Sequence, residues 1–320
     1  MQLFALFCLV ALVVSDPFIT PEFVSQVNNL ATTWEAHENV GSAVHGATRE
    51  QLKAMMGVLP GGPKLTRKTY QNEMVQALPT TFDSSTNWPM CASMKVIRDQ
   101  SACGSCWAFA GVEAMSDRIC IFKKVNVSLS SADLAFCCDS CGFGCGGGYP
   151  SAAWDYFQNT GIVEEGCWPY PFPSCDHHIP NSPNPCPSNE YPNPACATSC
   201  SSSWTGPSWN NDLHMSQSSY SVSGEADIMT EIYTNGPVEV AFTVYEDFVT
   251  YKSGVYKHTT GAELGGHAVK MMGWGVENGQ KYWLVANSWN PHWGLNGFFK
   301  ILRGTDECGI EDEADAGIPL

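Results

Sequence analysis

The spacing of hydrophobic residues changes along the chain and divides it into three parts. In the first part, apolar residues from Phe18 to Leu30 follow helical spacing and predict a short helix. Leu59-Pro-Gly-Gly-Pro63 then breaks the chain, and basic residues follow between Lys64 and Lys68. A segment this small, without cysteine cross-links, cannot build a good core of its own. We therefore predict a removable pro-segment at residues 16–77, with a plain N-terminal arm as the alternative.

The second part, from Leu78 to about Asn210, combines helical spacing with many Cys, Gly and Pro residues. Apolar residues at three- and four-residue steps predict an amphipathic helix from Trp107 to Cys120. Shorter helical segments are expected at Ser130–Ala135 and Ser151–Asn159. From Cys167 to Cys200 the pattern has no period, and five cysteines in this stretch indicate a cross-linked loop instead of disorder.

The third part, about 220–320, alternates short apolar runs with turn residues, which is typical of β-strands. A helix over Ala226–Tyr233 is expected to precede them. The predicted strands are Val238–Val244, Gly254–Tyr256, His267–Trp274, Tyr282–Ala286 and Gly297–Leu302. A helical half followed by a barrel-like β half predicts an α+β fold with two lobes.

The chain begins with an uncharged apolar run, Leu3–Val14. This run is too short to span a bilayer, and Ser15 follows at a small-residue cleavage position. We therefore predict a signal peptide at residues 1–15, although no Lys or Arg precedes the run. No later stretch is long and apolar enough for a transmembrane helix. The expected product is a soluble protein of the secretory pathway, in a lysosome or lysosome-like acidic compartment or outside the cell.

The charge of the chain narrows the choice of partners. A formal net charge of −16, with only 16 Lys and Arg residues, disfavours nucleic acid and anionic membranes. It favours cationic substrates and suits an acidic compartment, where partial protonation relieves repulsion between carboxylates. Many soluble proteins are acidic, so this argument carries little weight by itself.

The stretch Cys103-Gly-Ser-Cys-Trp-Ala-Phe109 places two cysteines at the start of the predicted helix. A thiol at a helix N-terminus lies at the positive end of the helix dipole, which favours the thiolate and lowers the pKa. Cys106 is therefore the candidate nucleophile. The alternative is a redox or zinc-binding pair formed by Cys103 and Cys106.

A thiol nucleophile needs a base, and the base needs a group that orients it. His267 is the candidate base because its small neighbours leave the imidazole accessible. Asn287, which follows the next predicted strand, is the candidate orienting group, with Trp289 as part of a roof over it. Gln100 and the backbone N–H of Cys106 are candidates for an oxyanion hole. Taken singly, His267 could be a core histidine and Asn287 a turn residue, but their combination with Cys106 favours catalysis.

Three further motifs suggest binding or modification. The run that ends in Gly147 and Gly148 offers a surface without side chains, on which an extended peptide could lie close to the backbone. The adjacent His177 and His178 could bind an anion such as a peptide C-terminal carboxylate in acid. Asn126-Val-Ser is a glycosylation sequon. The alternatives are a cross-linked loop without a ligand, and solvent-exposed or metal-binding histidines.

Export to an oxidising compartment changes the interpretation of the 15 cysteines. Cys8 leaves with the signal peptide, and Cys106 is set aside as the nucleophile. The remaining thirteen (15 − 2) are an odd number, so another free thiol is expected, and the isolated Cys308 is the natural choice. The other twelve can form six disulfides, whose connectivity the spacing does not determine.

The catalytic candidates lie in three blocks that resemble the papain-like cysteine proteases, and within them the cathepsin B group. The blocks are Asp99-Gln-Ser-Ala-Cys-Gly-Ser-Cys-Trp-Ala-Phe109, Gly265-Gly-His-Ala268 and Asn287-Ser-Trp-Asn290. The likeness runs from about Asn28 to Leu320, including a mature start at Leu78. From Cys106, the gaps to His267 (267 − 106 = 161) and Asn287 (287 − 106 = 181) exceed the usual spacing of about 130–150 residues. The difference indicates an insertion, which resembles an occluding loop at about 172–190.

The resemblance implies a two-lobed papain-like fold with the nucleophile helix in a helical left lobe, a barrel-like right lobe and an active-site cleft between them. It implies a cysteine endopeptidase that works through a thioester acyl-enzyme, without metal or cofactor. The mature peptidase would be residues 78–320, and residues 16–77 would act as its intramolecular inhibitor. Further expected partners are peptide and protein substrates and cystatin-like inhibitors, and the expected state is a monomer.

The resemblance also assigns binding residues. His177 and His178 would bind the substrate's C-terminal carboxylate and give peptidyl-dipeptidase activity, with Asp99 pairing His177. Glu313 would be the acidic residue that admits Arg beside apolar side chains. The other implied substrate-binding residues are Gly147, Gly148 and Trp289. The implied disulfides are Cys91–Cys120, Cys103–Cys145, Cys137–Cys196, Cys138–Cys141, Cys167–Cys200 and Cys175–Cys186.

Two positions depart from the family pattern. Pro183 and His292 stand where mammalian relatives have an Arg and an Asp that tether the occluding loop. We therefore predict a loop held by fewer contacts and a larger share of endopeptidase activity. Two other classes of function remain as alternatives, a secreted peptide-binding protein that does not cleave, and a structural zinc protein that uses its CxxC pairs with His177 and His178.

Overall fold

The computed structural model describes residues 17–71, 78–175, 185–187 and 190–320. The predicted signal peptide, His177, His178 and Pro183 lie outside these ranges. The α-helices of the described residues are α1 (Pro21–Leu30), α2 (Arg49–Ala54), α3 (Ser84–Asn87), α4 (Cys106–Lys123), α5 (Ser131–Cys137), α6 (Pro150–Asn159) and α7 (Glu225–Asn235). Short 3-10 turns occur at Ala92–Lys95, Gly144–Gly146, Trp209–Asn211, Phe248–Thr250 and Glu307–Gly309.

Nine strands of the described ranges form one sheet. They are β1 (Trp34–Ala36), β2 (Phe82–Asp83), β3 (Ser216–Val222), β4 (Val238–Tyr245), β5 (Tyr251–Tyr256), β6 (Glu263–Glu277), β7 (Gln280–Ala286), β8 (Phe298–Leu302) and β9 (Ala314–Pro319). The strand order is β1-β5-β8-β7-β6-β4-β9-β3, and β2 pairs with β6. Among the strand pairs that the described residues form, only β5–β8 is parallel.

The expected barrel is corrected by the strand order. Within the described ranges β1 and β3 form the two ends of the path and do not pair with each other, so the sheet is open. The α+β class and the papain-like arrangement are confirmed. Sequence pattern indicates which runs are strands, but closure depends on long-range pairing that no local pattern encodes.

The nucleophile helix α4 differs from the amphipathic helix predicted for it. Every residue from Cys106 to Ile121 is buried, including Glu113, Asp117 and Arg118. One face packs against α5 and α6, and the other faces the sheet at β4, β6 and β9. Charged residues on α4 made the helix look one-sided in sequence, but their partners lie inside the molecule.

The first part of the chain joins the sheet of the second and third. Strand β1 pairs antiparallel with β5, with Trp34 opposite Gly254. The side chain of Asn28 on α1 donates to the carbonyl of Ala36 at 3.0 Å and accepts from its N–H at 2.8 Å. Helix α2 begins with a capping box formed by Thr48 and Gln51. The N-terminal segment is thus folded onto the rest of the protein by ordinary secondary structure.

Six disulfides join cysteines of the described ranges, in which Cys106 and Cys308 are free. The bonded pairs are the six that the resemblance implies, Cys91–Cys120, Cys103–Cys145, Cys137–Cys196, Cys138–Cys141, Cys167–Cys200 and Cys175–Cys186. Among the residues with described positions, no helix is both long and apolar enough to cross a membrane.

Candidate active site

Cys106 is the first residue of α4 and is fully buried. Gly104 and Ser105 form the turn before it, and the Gly104 N–H donates to the carbonyl of Cys145 at 3.0 Å. The sulfur of Cys106 accepts two backbone N–H groups, from Ala268 at 3.4 Å and from Gly57 at 3.3 Å. The thiol therefore lies between the residue that follows His267 and the N-terminal segment.

His267 lies on β6, which pairs with β4 and β7. Its Nε2 is 2.8 Å from Oδ1 of Asn287, the residue directly after β7. Trp289 is fully buried, and its ring centroid lies 4.8 Å from that of His267. Nδ1 of His267 is buried and has no hydrogen-bond partner among the described residues. One ring nitrogen is thus held by Asn287, and the other is left for the reacting group.

Gln100 connects the two sides of the site. Its Nε2 donates to the carbonyl of Cys103 at 2.8 Å, and its Oε1 accepts from Ser288 Oγ at 2.7 Å. The Ser288 N–H donates to Asn287 Oδ1 at 2.8 Å. Sequence reasoning did not assign Ser288 a role, although its place between Asn287 and Trp289 was a signal that could have identified it. Ser288 links Gln100 to Asn287.

Burial dominates the protonation of Cys106 and His267. Burial raises the pKa of Cys106 to about 11, although N–H groups of Ala268, Gly57 and Trp107 favour the thiolate. Burial lowers the pKa of His267 to about 4, against the opposing effect of the Asn287 hydrogen bond. The lowered thiol pKa expected from the helix dipole is therefore wrong for this covered state, because loss of water outweighs the dipole.

An extended part of the N-terminal segment covers the thiol. Val58 N–H donates to the carbonyl of Gly266, and Leu59 N–H donates to the carbonyl of Gly148, both at 3.0 Å. The Gly148 N–H donates to the carbonyl of Gly57 at 2.8 Å. Residues 57–59 thus lie between a backbone on the helical side and a backbone on β6, as an extended peptide would.

The same segment also reaches Gln100. The carbonyl oxygen of Met55 accepts from Gln100 Nε2 at 2.9 Å. A carbonyl group thus already occupies the donor of the candidate oxyanion hole. Gly57 is required for this fit, since a Cβ at that position would lie 1.8 Å from the carbonyl oxygen of Gly104.

The remaining candidate binding residues surround this segment. A cavity of about 270 Å³ is lined by Val58 and Leu59 and, opposite them, by Tyr149, Ala241 and Glu313. Glu313 is exposed at this cavity. Gly147 has φ of 99°, and a Cβ there would lie 3.0 Å from the Gly57 carbonyl oxygen. Trp289, in contrast, is buried behind His267 and is not part of the cavity lining.

Asp99 and Asn126 are placed by hydrogen bonds to other residues. Asp99 accepts from Ser101 N–H at 2.8 Å and from Ser174 Oγ at 2.6 Å. Its proposed partner His177 lies outside the described residues, as do His178 and Pro183. His292 is exposed, and its N–H donates to Asn290 Oδ1. Asn126 is exposed, and its Nδ2 donates to the carbonyl of Met90 at 2.9 Å.

One group of side chains in the described ranges has the ligand types of a metal site. Ligand atoms of Glu164, Asp212 and His214 lie within 4.8 Å of one another. Glu164 Oε1 and His214 Nε2 are 3.5 Å apart, and Asp212 accepts from the Glu164 N–H at 2.8 Å. These contacts account for the group, and none of them involves Cys106 or His267.

Two protein-family models match the sequence, one over the region of the candidate catalytic residues and one over the N-terminal segment. The model described as papain family cysteine protease matches residues 78–318, and the model described as peptidase family C1 propeptide matches residues 19–62. The chain belongs to the papain family of cysteine proteases. It has the family's propeptide as well as its protease domain.

Relatives within the papain family are of the cathepsin B-like kind. The chain is 47% identical over 315 residues to cathepsin B-like cysteine proteinase 6 of Caenorhabditis elegans, covering 93% of this chain and 83% of the relative. It is 50% identical over 253 residues to cathepsin B-like cysteine proteinase 4 of the same organism, covering 76% of each. ProCathepsin B S9 from Trypanosoma congolense has a TM-score of 0.85 and 37% identity, covering 95% of this chain and 99% of that one. The chain is thus a cathepsin B-like papain-family protease with a propeptide.

Proposed function

We propose that this protein is made as a secreted zymogen and that removal of residues 16–77 releases a peptidase of residues 78–320. The proposal rests on one observation, that the candidate catalytic groups converge on a single thiol. Cys106, His267, Asn287 and Gln100 meet beneath an extended stretch of the chain's own N-terminal segment. Signal-peptide cleavage after residue 15 and delivery to an acidic or extracellular compartment complete the proposal.

The proposed reaction is acyl transfer to the Cys106 sulfur. With the segment removed, His267 Nδ1 takes the thiol proton, and the thiolate attacks the carbonyl carbon of the scissile peptide bond. Gln100 Nε2 and the Cys106 N–H stabilise the oxyanion. His267 then protonates the leaving amine, and water, deprotonated by His267, hydrolyses the thioester and restores the thiol.

The covering segment is held in a form that this reaction does not cleave. The segment presents the amide N–H of Gly57 to the Cys106 sulfur as a hydrogen-bond donor. The Met55 carbonyl occupies Gln100 instead. The Cys106 thiol and the His267 imidazole are also buried away from water, so that both stay neutral. The segment therefore inhibits by position and by exclusion of water.

We further propose dipeptide release from C-termini, through His177 and His178, besides endopeptidase cleavage. The support is the resemblance of about 172–190 to an occluding loop and the disulfide Cys175–Cys186 that closes it. Glu313 at the cavity edge would favour basic side chains, since its carboxylate is exposed there. Because Pro183 and His292 replace a tethering ion pair, the proposed share of endopeptidase activity is larger than in mammalian relatives.

A catalytically silent peptide-binding protein is the second candidate. The observation that favours it is that the cleft holds an extended chain by backbone hydrogen bonds without cleaving it. A silent protein would not need a nucleophile, a base, an orienting amide and an oxyanion donor together. Retention of all four favours the peptidase.

The test uses acid-processed protein and the Cys106→Ser variant beside it. Both are given a dipeptidyl-Arg fluorogenic substrate and, separately, a peptide with a free C-terminus, with and without an epoxide thiol inhibitor. We expect cleavage by the unchanged protein alone, abolished by the inhibitor. No turnover by processed, disulfide-intact protein would support the binding protein. Endopeptidase cleavage without dipeptide release would keep the peptidase and overturn the role of His177 and His178.

A further inference from the structure

A second contact of the N-terminal segment lies outside the cleft, on strand β3. This strand is the last in the sheet, so one side of its backbone has no strand partner in the described ranges. Lys68 N–H donates to the Ser221 carbonyl at 2.8 Å, and Ser221 N–H donates to the Thr66 carbonyl at 3.1 Å. Residues 66–68 thus extend the sheet by one short parallel pairing.

Side chains in this part of the segment alternate between contact with the protease domain and exposure to solvent, as in an extended peptide. Lys68 and Tyr70, two residues apart, both reach the carboxylate of Glu231 on α7. Lys68 Nζ is 3.1 Å from Glu231 Oε2 and 4.4 Å from the centre of the Tyr220 ring. Arg67, between Thr66 and Lys68, is exposed and forms no ion pair within the described residues. The contact therefore selects alternate side chains.

Residues of the protease domain hold the Glu231 carboxylate in place beside Lys68. It is fully buried, and Oε1 accepts from Arg118 Nη2 and Tyr220 OH, both at 2.8 Å, and from Asn235 Nδ2 at 3.1 Å. Burial alone would raise the pKa of Glu231, but Arg118, Lys68 and the hydrogen bond from Tyr70 lower it to about 2. With the segment bound, the carboxylate therefore keeps its charge in acid, and Arg118 remains beside it when the segment leaves.

The groups that receive the segment all belong to the domain that would remain after processing. They are the Ser221 backbone, the Tyr220 ring, Glu231 with its Arg118 and Asn235 partners, and Asp227, which accepts the Tyr70 N–H at 3.2 Å. Removal of the segment would leave a strand edge without a partner, beside the carboxylates of Glu231 and Asp227 and the ring of Tyr220. A peptide can use both, because backbone pairing supplies affinity and these groups select the side chain.

We propose that this surface is an exosite of the mature enzyme, which binds extended peptide segments of the pattern Lys-x-Tyr along β3 with the lysine on Glu231 and Tyr220. It rests on the proposed removal of residues 16–77. The exosite lies beside the cleft, since Lys64 still lines the cavity of Glu313 and Thr66 is already on β3. Substrates or inhibitors with such a basic segment would gain contacts there that the catalytic residues do not provide.

The test measures peptide binding to processed enzyme whose Cys106 is blocked by an epoxide. The probe is a fluorescent, end-blocked peptide of residues 65–71, followed by anisotropy at about pH 5. We expect saturable binding, weakened about tenfold or more by Lys68→Met in the peptide and less than about twofold by the matched Arg67→Met. On the enzyme, Asp227→Ala should weaken binding severalfold, since it removes the acceptor for the Tyr70 N–H.

Equal affinity of the Lys68→Met and Arg67→Met peptides, or no saturable binding up to about 1 mM, would overturn the exosite. If acid processing gives no active enzyme, the proposed function fails independently of the exosite. The contact between the segment and β3 is then tested by hydrogen exchange in the intact Cys106→Ser zymogen. There, Lys68→Met should remove protection of the Ser221 amide, and Arg67→Met should not. Equal protection in both zymogens would overturn the contact itself.

Discussion

Cys106 and Glu231 are both fully buried ionisable side chains in contact with the N-terminal segment, yet they reach opposite charge states. The Cys106 sulfur accepts backbone amides and His267 is hydrogen-bonded to the neutral Asn287, and burial raises the pKa of the thiol to about 11 and lowers that of the imidazole to about 4. Glu231 contacts Arg118 and Lys68, and the pKa of its carboxyl is lowered to about 2. The thiol is neutral and the carboxylate is charged.

The difference shows that burial alone does not decide protonation. A buried group becomes neutral when its neighbours are dipoles, and stays charged when a full opposite charge is within hydrogen-bonding distance. Two parts of the N-terminal segment therefore contact the protease domain in different ways. In the function we propose, residues 55–59 keep the catalytic pair neutral by excluding water, and residues 66–70 bind Glu231 by charge.

The largest expected effect comes from substitution of His267, in the neutral catalytic pair. His267→Ala should lower kcat of the processed enzyme by about 10³-fold or more, because no other described group can take the proton from Cys106. Steady-state hydrolysis of a fluorogenic peptide measures it. The matched control is His214→Ala, a half-exposed histidine outside the network, for which we expect less than about a twofold change. Similar losses in both variants would remove His267 from the reaction.

A smaller effect is expected where the segment crosses the thiol. Gly57→Ala places a methyl group 1.8 Å from the Gly104 carbonyl oxygen, so the segment must move away from Cys106. Overpacking of this kind costs about 1–3 kcal/mol, which corresponds to about 5-fold to 150-fold more activity of the unprocessed zymogen near neutral pH. The change should leave the contact of Lys68 with Glu231 in place.

The control for this variant is Gly61→Ala, whose added methyl group would have no neighbour within 4 Å. Gly61 has φ of 88°, so this variant strains the backbone without a clash. Fluorogenic hydrolysis before processing compares the two. Equal activity of both zymogens would contradict the role assigned to the Gly57 contact.

A third effect, on stability and not on activity, concerns Glu113, whose surroundings are intermediate between those of Cys106 and Glu231. It is buried on α4, with Lys270 Nζ at 3.9 Å, but Asp117 shares that lysine at 2.8 Å. Burial raises the pKa of Glu113 to about 7, because the shared lysine and Arg98 only partly compensate. The folded state therefore holds a proton that the unfolded state has lost, and stability should fall as pH rises from about 4.5 to about 7.

Glu113→Gln should remove up to about 3 kcal/mol of this dependence. Thermal unfolding of the Cys106→Ser zymogen at about pH 5 and about pH 7.5 measures it, with Glu22→Gln on the exposed face of α1 as control. We expect Glu113→Gln to raise Tm mainly at the higher pH. Parallel Tm profiles for the variant and its parent would show that Glu113 is not the group responsible.

Much of the fold was predictable because its elements have local signals. The periodicity around Phe109 and Val112 indicated α4, and apolar runs separated by turns indicated β4 to β8, with ends within a few residues. The first part of the chain was harder. A helix was expected up to about Leu30, but β1, at Trp34–Ala36, and α2 were not predicted. β1 depends on pairing with β5, more than 200 residues away, and this pairing leaves no mark in local spacing.

The candidate site was predictable to a similar extent. The chemistry of Cys106, His267, Asn287 and Gln100 is visible in residue type and neighbours, and the structure brings these four together. The protonation of the thiol was predicted in the wrong direction, because burial under Gly57 is a tertiary effect. Glu231 was not singled out, since a glutamate on a helix usually faces solvent and its partner Arg118 lies on a different helix.

We propose that the N-terminal segment keeps the Cys106–His267 pair neutral and that its removal allows the pair to ionise. Thiolate absorbance in the ultraviolet measures this directly, as the difference between each protein and its Cys106→Ser counterpart, before and after processing. At about pH 5, we predict no Cys106 thiolate in the zymogen and a clear thiolate signal in the processed enzyme. A thiolate signal of equal size in the zymogen would show that the segment covers Cys106 without suppressing its ionisation.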